Sequence, residues 1–119
     1  MEREEIIRIA GVIWDQLQAT VPWVTRSSWG LESVRCGLFN EMATLKLKVN
    51  GFHHKGWVYI SYDEGLDLYN IYLVTDSREV VKEVEGVYCD EFGDLLDQYI
   101  ERGNMSMEEY TERVRKEYE

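Results

Sequence analysis

The chain has 119 residues, which is enough for one domain with a hydrophobic core. Hydrophobic residues make up 45% of it and charged residues 30%, a globular composition that excludes disorder along the whole length. The formal net charge of -10 disfavours direct binding to nucleic acid or to an anionic membrane surface. We therefore predict a single folded domain over residues 1–119.

The negative charge is concentrated in the C-terminal part of the chain. Residues 1–75 contain nine acidic and seven basic residues, a net charge of -2, whereas residues 76–119 contain fourteen acidic and six basic residues, a net charge of -8. A field of this sign attracts a basic partner and also favours solubility. We therefore expect the partner to be another protein, basic in character, with no direct contact to nucleic acid or membrane.

The sequence lacks the features of an exported or membrane-bound protein. Its N-terminus has no basic region followed by a long apolar run, and no stretch approaches the roughly 18 apolar residues of a membrane helix. We expect a cytoplasmic protein in which Cys36 and Cys89 are free thiols; a single disulfide between them is the alternative. The pattern further predicts that Cys36 fills the core and that Cys89 is partly buried.

The first predicted element is a helix over residues 2–19. The apolar residues of this segment recur at the spacing of one helix face: Ile6, Ala10, Ile13, Trp14 and Leu17. Pro22 cannot continue the helix. Residues 20–28 are therefore predicted to be a connection, with Trp23 folded back onto the core.

The middle of the chain is predicted to be an antiparallel meander of three to five strands. Leu45, Leu47 and Val49 alternate with lysines, as in a strand with one buried face, and a turn follows at Asn50 and Gly51. Four further segments are strand candidates: residues 29–40, 57–62, 68–74 and 79–84. Every connection is too short for a crossover, so neighbouring strands should be antiparallel.

Two helices are predicted after the strands. Asp90 should cap a helix that runs to about Arg102 and ends before Gly103, and residues 106–109 have the form of a capping box that starts a final helix. The chain thus predicts an α+β fold: an N-terminal helix, a three- to five-stranded antiparallel meander sheet, and two C-terminal helices packed on one face of the sheet. The apolar face of strand 45–49 is the expected packing surface.

An acidic stripe follows the first of these C-terminal helices. Its members recur at spacings of four, three and four residues: Asp90, Asp94, Asp97 and Glu101. No Lys or Arg lies between them, although like charges at this spacing destabilise a helix by about 0.2–0.5 kcal/mol per pair. The stripe is either a solvated helix face or a contact surface for a basic partner. In a continuous helix its carboxylates would lie about 5–6 Å apart, close to the spacing of phosphates along a nucleic acid strand.

The order of elements and the acidic charge resemble those of small phage inhibitors such as some anti-CRISPR proteins. This resemblance implies an inhibitor that mimics nucleic acid charge. We therefore predict a non-enzymatic protein-binding module that presents an acidic helix face, with large aromatic rings near turns as further anchors. The predicted binding residues are Asp90, Glu91, Asp94, Asp97, Glu101, Trp23 and Trp29. The chain is expected to be a monomer or a homodimer, and segment 69–74 is predicted to be an edge strand able to pair with its own copy.

A small enzyme or metal-dependent protein is the alternative. His53 and His54 are adjacent on a predicted loop, where they could act with Cys89 or Asp63. The simpler interpretation is a solvated loop, a thiol and an Asx turn at Asp63. The sequence contains no phosphate-binding loop, nucleophile elbow, zinc-ligand spacing or calcium loop. We therefore predict no catalytic residues, no metal ligands and no cofactor.

Overall fold

The computed structural model describes residues 2–51 and 54–102. In chain order its elements are α1 (Arg3–Thr20), α2 (Trp23–Ser28), β1 (Ser33–Phe39), β2 (Met42–Asn50), β3 (Lys55–Asp63), β4 (Leu68–Val74), β5 (Val80–Val87), α3 (Phe92–Asp97) and a π-helical turn (Gln98–Arg102). The α+β class, the N-terminal helix and the antiparallel sheet are confirmed. Of the two predicted C-terminal helices, one short helical segment is present, and the other, predicted to begin near residue 106, lies outside the described residues. None of the helices in the described ranges is long and apolar enough to cross a membrane.

The sheet is a meander in which the five strands lie in chain order and each pair is antiparallel. Its first hairpin turns through Asn40 and Glu41, both with positive φ (50° and 66°), as a two-residue type I′ turn requires. The edges of the sheet are β1 and β5. The prediction that segment 69–74 is an edge strand was wrong, because β4 lies between β3 and β5.

The core lies between the sheet and the helices on one of its faces. Leu45, Leu47 and Val49 are at most 3% exposed, and they belong to one buried cluster with Ile13 and Leu17 of α1. Burying a side chain of this size stabilises the fold by about 1.5–3 kcal/mol. The prediction that this face of β2 buries a helix is confirmed.

Residues 23–28 form a helix, so the prediction of a plain connection there was wrong. Pro22 does end α1, but it also directly precedes the first residue of α2. A proline is tolerated at a helix start, because no preceding turn needs its missing N–H. The side chain of Trp23 is 71% exposed, so it does not fold back onto the core as predicted.

The C-terminal helix is shorter than predicted and begins at Phe92. Asp90 and Glu91 lie in the preceding turn, where the N–H groups of Glu91 and Phe92 both donate to the Tyr88 carbonyl. Asp90 therefore does not cap the helix as predicted, and Glu91 at the N-cap position makes no side-chain cap bond. The π-helical turn then brings Ile100 against Gly51, where any side chain on residue 51 would collide with it.

Both cysteines are free and exposed. The predictions of a core position for Cys36 and a partly buried one for Cys89 were wrong. Cys36 lies on the edge strand β1, at the margin of the surface that α1 covers, and Cys89 lies in the turn after β5. A strand pattern cannot distinguish an edge strand, which is only partly covered, from a central one.

Candidate functional site

The predicted binding residues come from two distant parts of the sequence, and the fold brings these parts together. The α2–α3 groove has a volume of about 230 Å³ and is lined by Thr20, Val21, Pro22, Thr25, Gly93, Asp94 and Asp97. A hydrogen bond holds one of its lining residues: the indole N–H of Trp29 donates to the Asp97 carboxylate at 2.9 Å. Gly93 lets α3 approach the end of α1 closely, because a Cβ atom there would collide with the Val21 side chain.

The acidic residues of the predicted stripe do not form one continuous row. Asp90 and Glu91 are exposed in the turn before α3, and Asp94 is exposed on the helix. Asp97 is half-buried and accepts the bond from Trp29. The side chain of Glu101 lies outside the described part of the structure. The carboxylates therefore do not follow a single helical line: Asp90 and Glu91 precede α3, and Asp94 and Asp97 line the same groove.

A second surface lies on the other side of α2. Trp23 and Val24 are 71% and 73% exposed, although both are large and apolar. A groove of about 390 Å³ beside them is lined by Trp14, Trp23, Arg26, Ser27, Gly30 and Leu31. The Arg26 guanidinium lies 6.0 Å from the centre of the Trp14 ring. Two adjacent, large and exposed apolar side chains make this surface a candidate for protein contact.

Trp29 has a different position from Trp23. Its ring is fully buried and belongs to the main core cluster. Because this ring cannot reach a partner without unfolding, Trp29 contributes to the candidate site by holding Asp97 in place.

His54 and Asp63, two residues of the alternative hypothesis, lie at opposite ends of the sheet. His54 is buried, not solvated as predicted, and its Nε2 lies 2.9 Å from the Trp57 carbonyl oxygen; His53 lies outside the described residues. Asp63 is at the other end of β3, about 30 Å away at 3.3 Å per residue. Its carboxylate accepts the N–H of Gly65 at 3.0 Å, which confirms the predicted Asx turn. Within residues 2–51 and 54–102, no three His, Cys, Asp or Glu side chains are arranged to hold a metal ion.

The sequence patterns missed a groove between α1 and the β3–β4 turn. It has a volume of about 480 Å³, and its lining includes Arg8, Gln16, Tyr62, Asp67 and Tyr69. The Tyr62 hydroxyl donates to Asp67 at 2.5 Å, and this bond, followed by burial, raises the pKa of Tyr62 to about 12. The Tyr69 hydroxyl donates to the Gln16 side chain at 2.7 Å, and burial raises its pKa. The alternation of tyrosines with polar residues in β3 and β4 was the signal in the sequence for this groove. It does not show that α1 lies above these strands.

The outer face of the sheet carries basic and aromatic residues. Lys48 and Arg78 both lie 5.7 Å from the Trp57 ring, and Lys46 lies 5.0 Å from the Tyr59 ring. Lys48 also forms an ion pair with Asp76. The lysines that alternate with apolar residues in β2 indicated this face in the sequence. The sequence did not indicate which rings these lysines contact.

Comparisons with protein family models, with curated proteins and with solved structures found no match to this chain.

Proposed function

We propose that this chain is a protein-binding module that contacts a basic partner through α3 and the neighbouring α2. One observation carries the proposal: exposed carboxylates before and on α3 lie close to α2, a short helix with exposed apolar side chains. The acidic contribution is the exposed Asp90, Glu91 and Asp94. The apolar contribution is Trp23 and Val24.

The two kinds of residue have complementary roles in association. Carboxylates at the rim of an interface speed the encounter with a basic surface and select against acidic partners. A large exposed ring can supply most of the binding energy once it is covered, and Trp is among the residues most enriched at such positions. Trp23 is therefore the proposed anchor, and the α3 carboxylates are the proposed source of partner selectivity.

The partner class that fits best is a protein with a basic, nucleic-acid-binding surface. The net charge of -8 over residues 76–119 supports this narrower proposal. Regular phosphate-like spacing does not, because Asp90 precedes the helix and Asp97 is bonded to Trp29. A DNA or RNA oligonucleotide that displaces the chain from its partner would support charge mimicry, and an oligonucleotide that leaves the complex intact would exclude it.

The test is capture of partners from host-cell lysate at low and high salt with three proteins. The first is the wild type, and the second is the α3 variant Asp90→Asn/Glu91→Gln/Asp94→Asn. The third is the control variant Glu2→Gln/Glu4→Gln/Asp15→Asn, which removes the same charge from exposed positions on and beside α1. We expect a basic protein to be captured at low salt by the wild type and the control, and about tenfold more weakly by the α3 variant.

The apolar half of the proposal needs a separate measurement. The affinity of the variant Trp23→Ser is measured for the captured partner. We expect weaker binding at all salt concentrations. The variant should remain folded, because the ring is 71% exposed. Equal capture by the two charge variants would overturn the role of α3. Unchanged affinity of Trp23→Ser would overturn the role of α2.

A further inference from the structure

The edge strand β1 lacks the features that normally prevent an edge from pairing with another chain. Its seven residues pair with β2 from Ser33 to Phe39 without a register shift. Arg35 is the single charged residue in the strand, and the strand contains no proline. Among the described residues, no strand pairs with its other side. A flat edge of this kind presents a row of unpaired N–H and C=O groups.

The opposite edge, β5, is protected. Its pairing with β4 is interrupted by two register shifts, and Gly86 adopts a positive φ of 70°. Lys82, Glu83 and Glu85 place three charges within the strand. Bulges and charges are the devices that natural sheets use to block edge-to-edge pairing. The two edges therefore differ in the features that decide whether a strand can be added.

An exposed apolar stripe runs along β1. Val34, Cys36 and Leu38 alternate along the strand and pair with core-facing residues of β2, so they share the core-side face of the sheet. Val34 and Leu38 are nevertheless 43% and 45% exposed, and Cys36 is exposed as well. Another strand added at this edge would cover the stripe.

We infer that β1 pairs antiparallel with β1 of a second copy, with Cys36 on the twofold axis, so that two sheets join into one. Cys36 is the central residue of the strand, and this register is self-complementary. Val34 lies opposite Leu38 of the second copy, and Arg35 lies opposite Gly37. Apolar residues then meet apolar ones, the large Arg35 side chain meets a glycine, and no two like charges are directly opposed.

The charge distribution favours a second copy at this edge over the other edge. Each chain carries a net charge of -10, so two copies repel unless their acidic parts stay apart. At a spacing of about 4.8 Å per strand, β1 lies about 19 Å from β5, whose segment begins the strongly acidic part of the chain. Pairing at β1 joins the less acidic regions, whereas pairing at β5 would bring Glu83 and Glu85 of one copy close to the same residues of the other. The dimer would form independently of the α3 surface used in the proposed function.

The first test is sedimentation equilibrium of the full chain over a range of concentrations. We expect the mass to approach twice the monomer mass of 14.1 kDa. The double variant Val34→Lys/Leu38→Lys should weaken the dimer by about tenfold or more, because it opposes two lysines at each pair. The variant Val34→Lys/Leu38→Glu should dimerise more tightly than that variant, because each pair then joins opposite charges. Val81→Lys on β5 is the control and should leave the mass unchanged.

The second test checks the register with a covalent probe. Directly opposed residues in an antiparallel pair have Cα atoms about 4.5 or 5.5 Å apart, and both separations allow a disulfide. In the Cys89→Ser background, added diamide as oxidant should link two chains through Cys36, and Cys36→Ser should abolish the linkage. Circular dichroism confirms that each variant is folded.

Three outcomes would overturn the inference. The chain could remain monomeric at every concentration, or it could dimerise with a mass that responds to Val81→Lys and not to the β1 variants. The third is equal dimerisation by the two charge-designed β1 variants, because the register requires Val34 to face Leu38.

Discussion

The hydrogen bond between Trp29 and Asp97 joins a core residue to the helix that forms the candidate site. Trp29 is fully buried in the intact protein, and its indole N–H donates to the Asp97 carboxylate, so removal of this acceptor costs the bond. We expect Asp97→Ala to lower the free energy of unfolding by about 1–3 kcal/mol in urea titrations. Asp97→Asn keeps an acceptor oxygen, so it should lower the free energy of unfolding by a smaller amount.

The matched control is Asp90→Ala, which removes an exposed carboxylate from the turn before α3. It should change the unfolding free energy by no more than about 0.5 kcal/mol. Equal effects of Asp97→Ala and Asp90→Ala would contradict a structural role for Asp97. This comparison also separates stability from recognition, because the proposed partner contacts involve Asp90 and not the bond to Trp29.

The bond between Tyr62 and Asp67 should be visible in a tyrosine titration. Asp67 raises the pKa of Tyr62 from the ordinary value of 10.0 to about 12. A raised pKa means that the stabilising contribution is fully present below pH 10 and is lost as the pH rises through about 12. The absorbance difference between wild type and Tyr62→Phe should therefore show a tyrosine that ionises near pH 12. In Asp67→Asn the same difference should move towards pH 10, and a midpoint that stays near 12 would assign the shift to burial instead.

Sequence patterns selected both Trp29 and Asp97 as binding residues, but for unrelated reasons. Asp97 stands at helical spacing from other acids, and Trp29 lies near a predicted turn. Helical spacing describes neighbours within a few residues, whereas the actual partner of Asp97 is 68 positions away. The identity of these residues could be predicted from the sequence, and their contact could not.

At the scale of elements, one glycine controls how closely α3 approaches α1. A Cβ atom on residue 93 would collide with the Val21 side chain, so Gly93→Ala forces the two elements apart. We expect this substitution to lower the unfolding free energy by about 1–3 kcal/mol, as overpacking usually does. Urea or thermal unfolding would measure the loss.

A second glycine provides the control for this prediction. Gly11 lies within α1, and a Cβ atom there would meet nothing within 4 Å. Gly11→Ala should therefore stabilise the protein by about 0.5–1 kcal/mol, because alanine is the better helix former. Stabilisation by both substitutions would contradict the close approach of α3 to the end of α1.

The boundaries of most elements follow from local chemistry, and the errors have local causes. The strand at residues 68–74 was predicted with its observed limits, because the preceding turn is closed by the Asx bond of Asp63. The helix α2 was not predicted because Pro22 is a helix stop signal, but proline is equally compatible with a helix start. The turn at Asn40 and Glu41 was missed as well, because glutamate rarely adopts the positive φ found there.

At the scale of the whole molecule, the fold gathers basic side chains from separate segments on one face of the sheet. Lys46, Lys48 and Arg78 contact rings on this outer face, and Asp76 pairs with Lys48 there. Composition alone indicated the excess of acid in the C-terminal part. It could not show the basic outer face, because that face is built from single residues of separate segments.

The meander topology was predictable for a physical reason: short connections permit only antiparallel neighbours. Which strands form the edges was not, because this depends on whether residues 29–40 and 79–84 both join the sheet. Both segments join the sheet, as β1 and β5, so β4 is an interior strand. The candidate site depends on the same long-range arrangement, so it could be assembled only from the structure.

The meander also determines the order in which parts of the protein can close. Each strand pairs with the next one along the chain, so every hairpin closes a loop of a few residues. The bond from Trp29 to Asp97 instead closes a loop of 68 residues, which costs about 2–3 kcal/mol more in chain entropy than a four-residue loop. The sheet can therefore form from local steps, while the α2–α3 groove requires contacts between distant parts of the chain. The proposed binding surface therefore depends on a contact between distant parts of the chain, which formation of the hairpins alone does not supply.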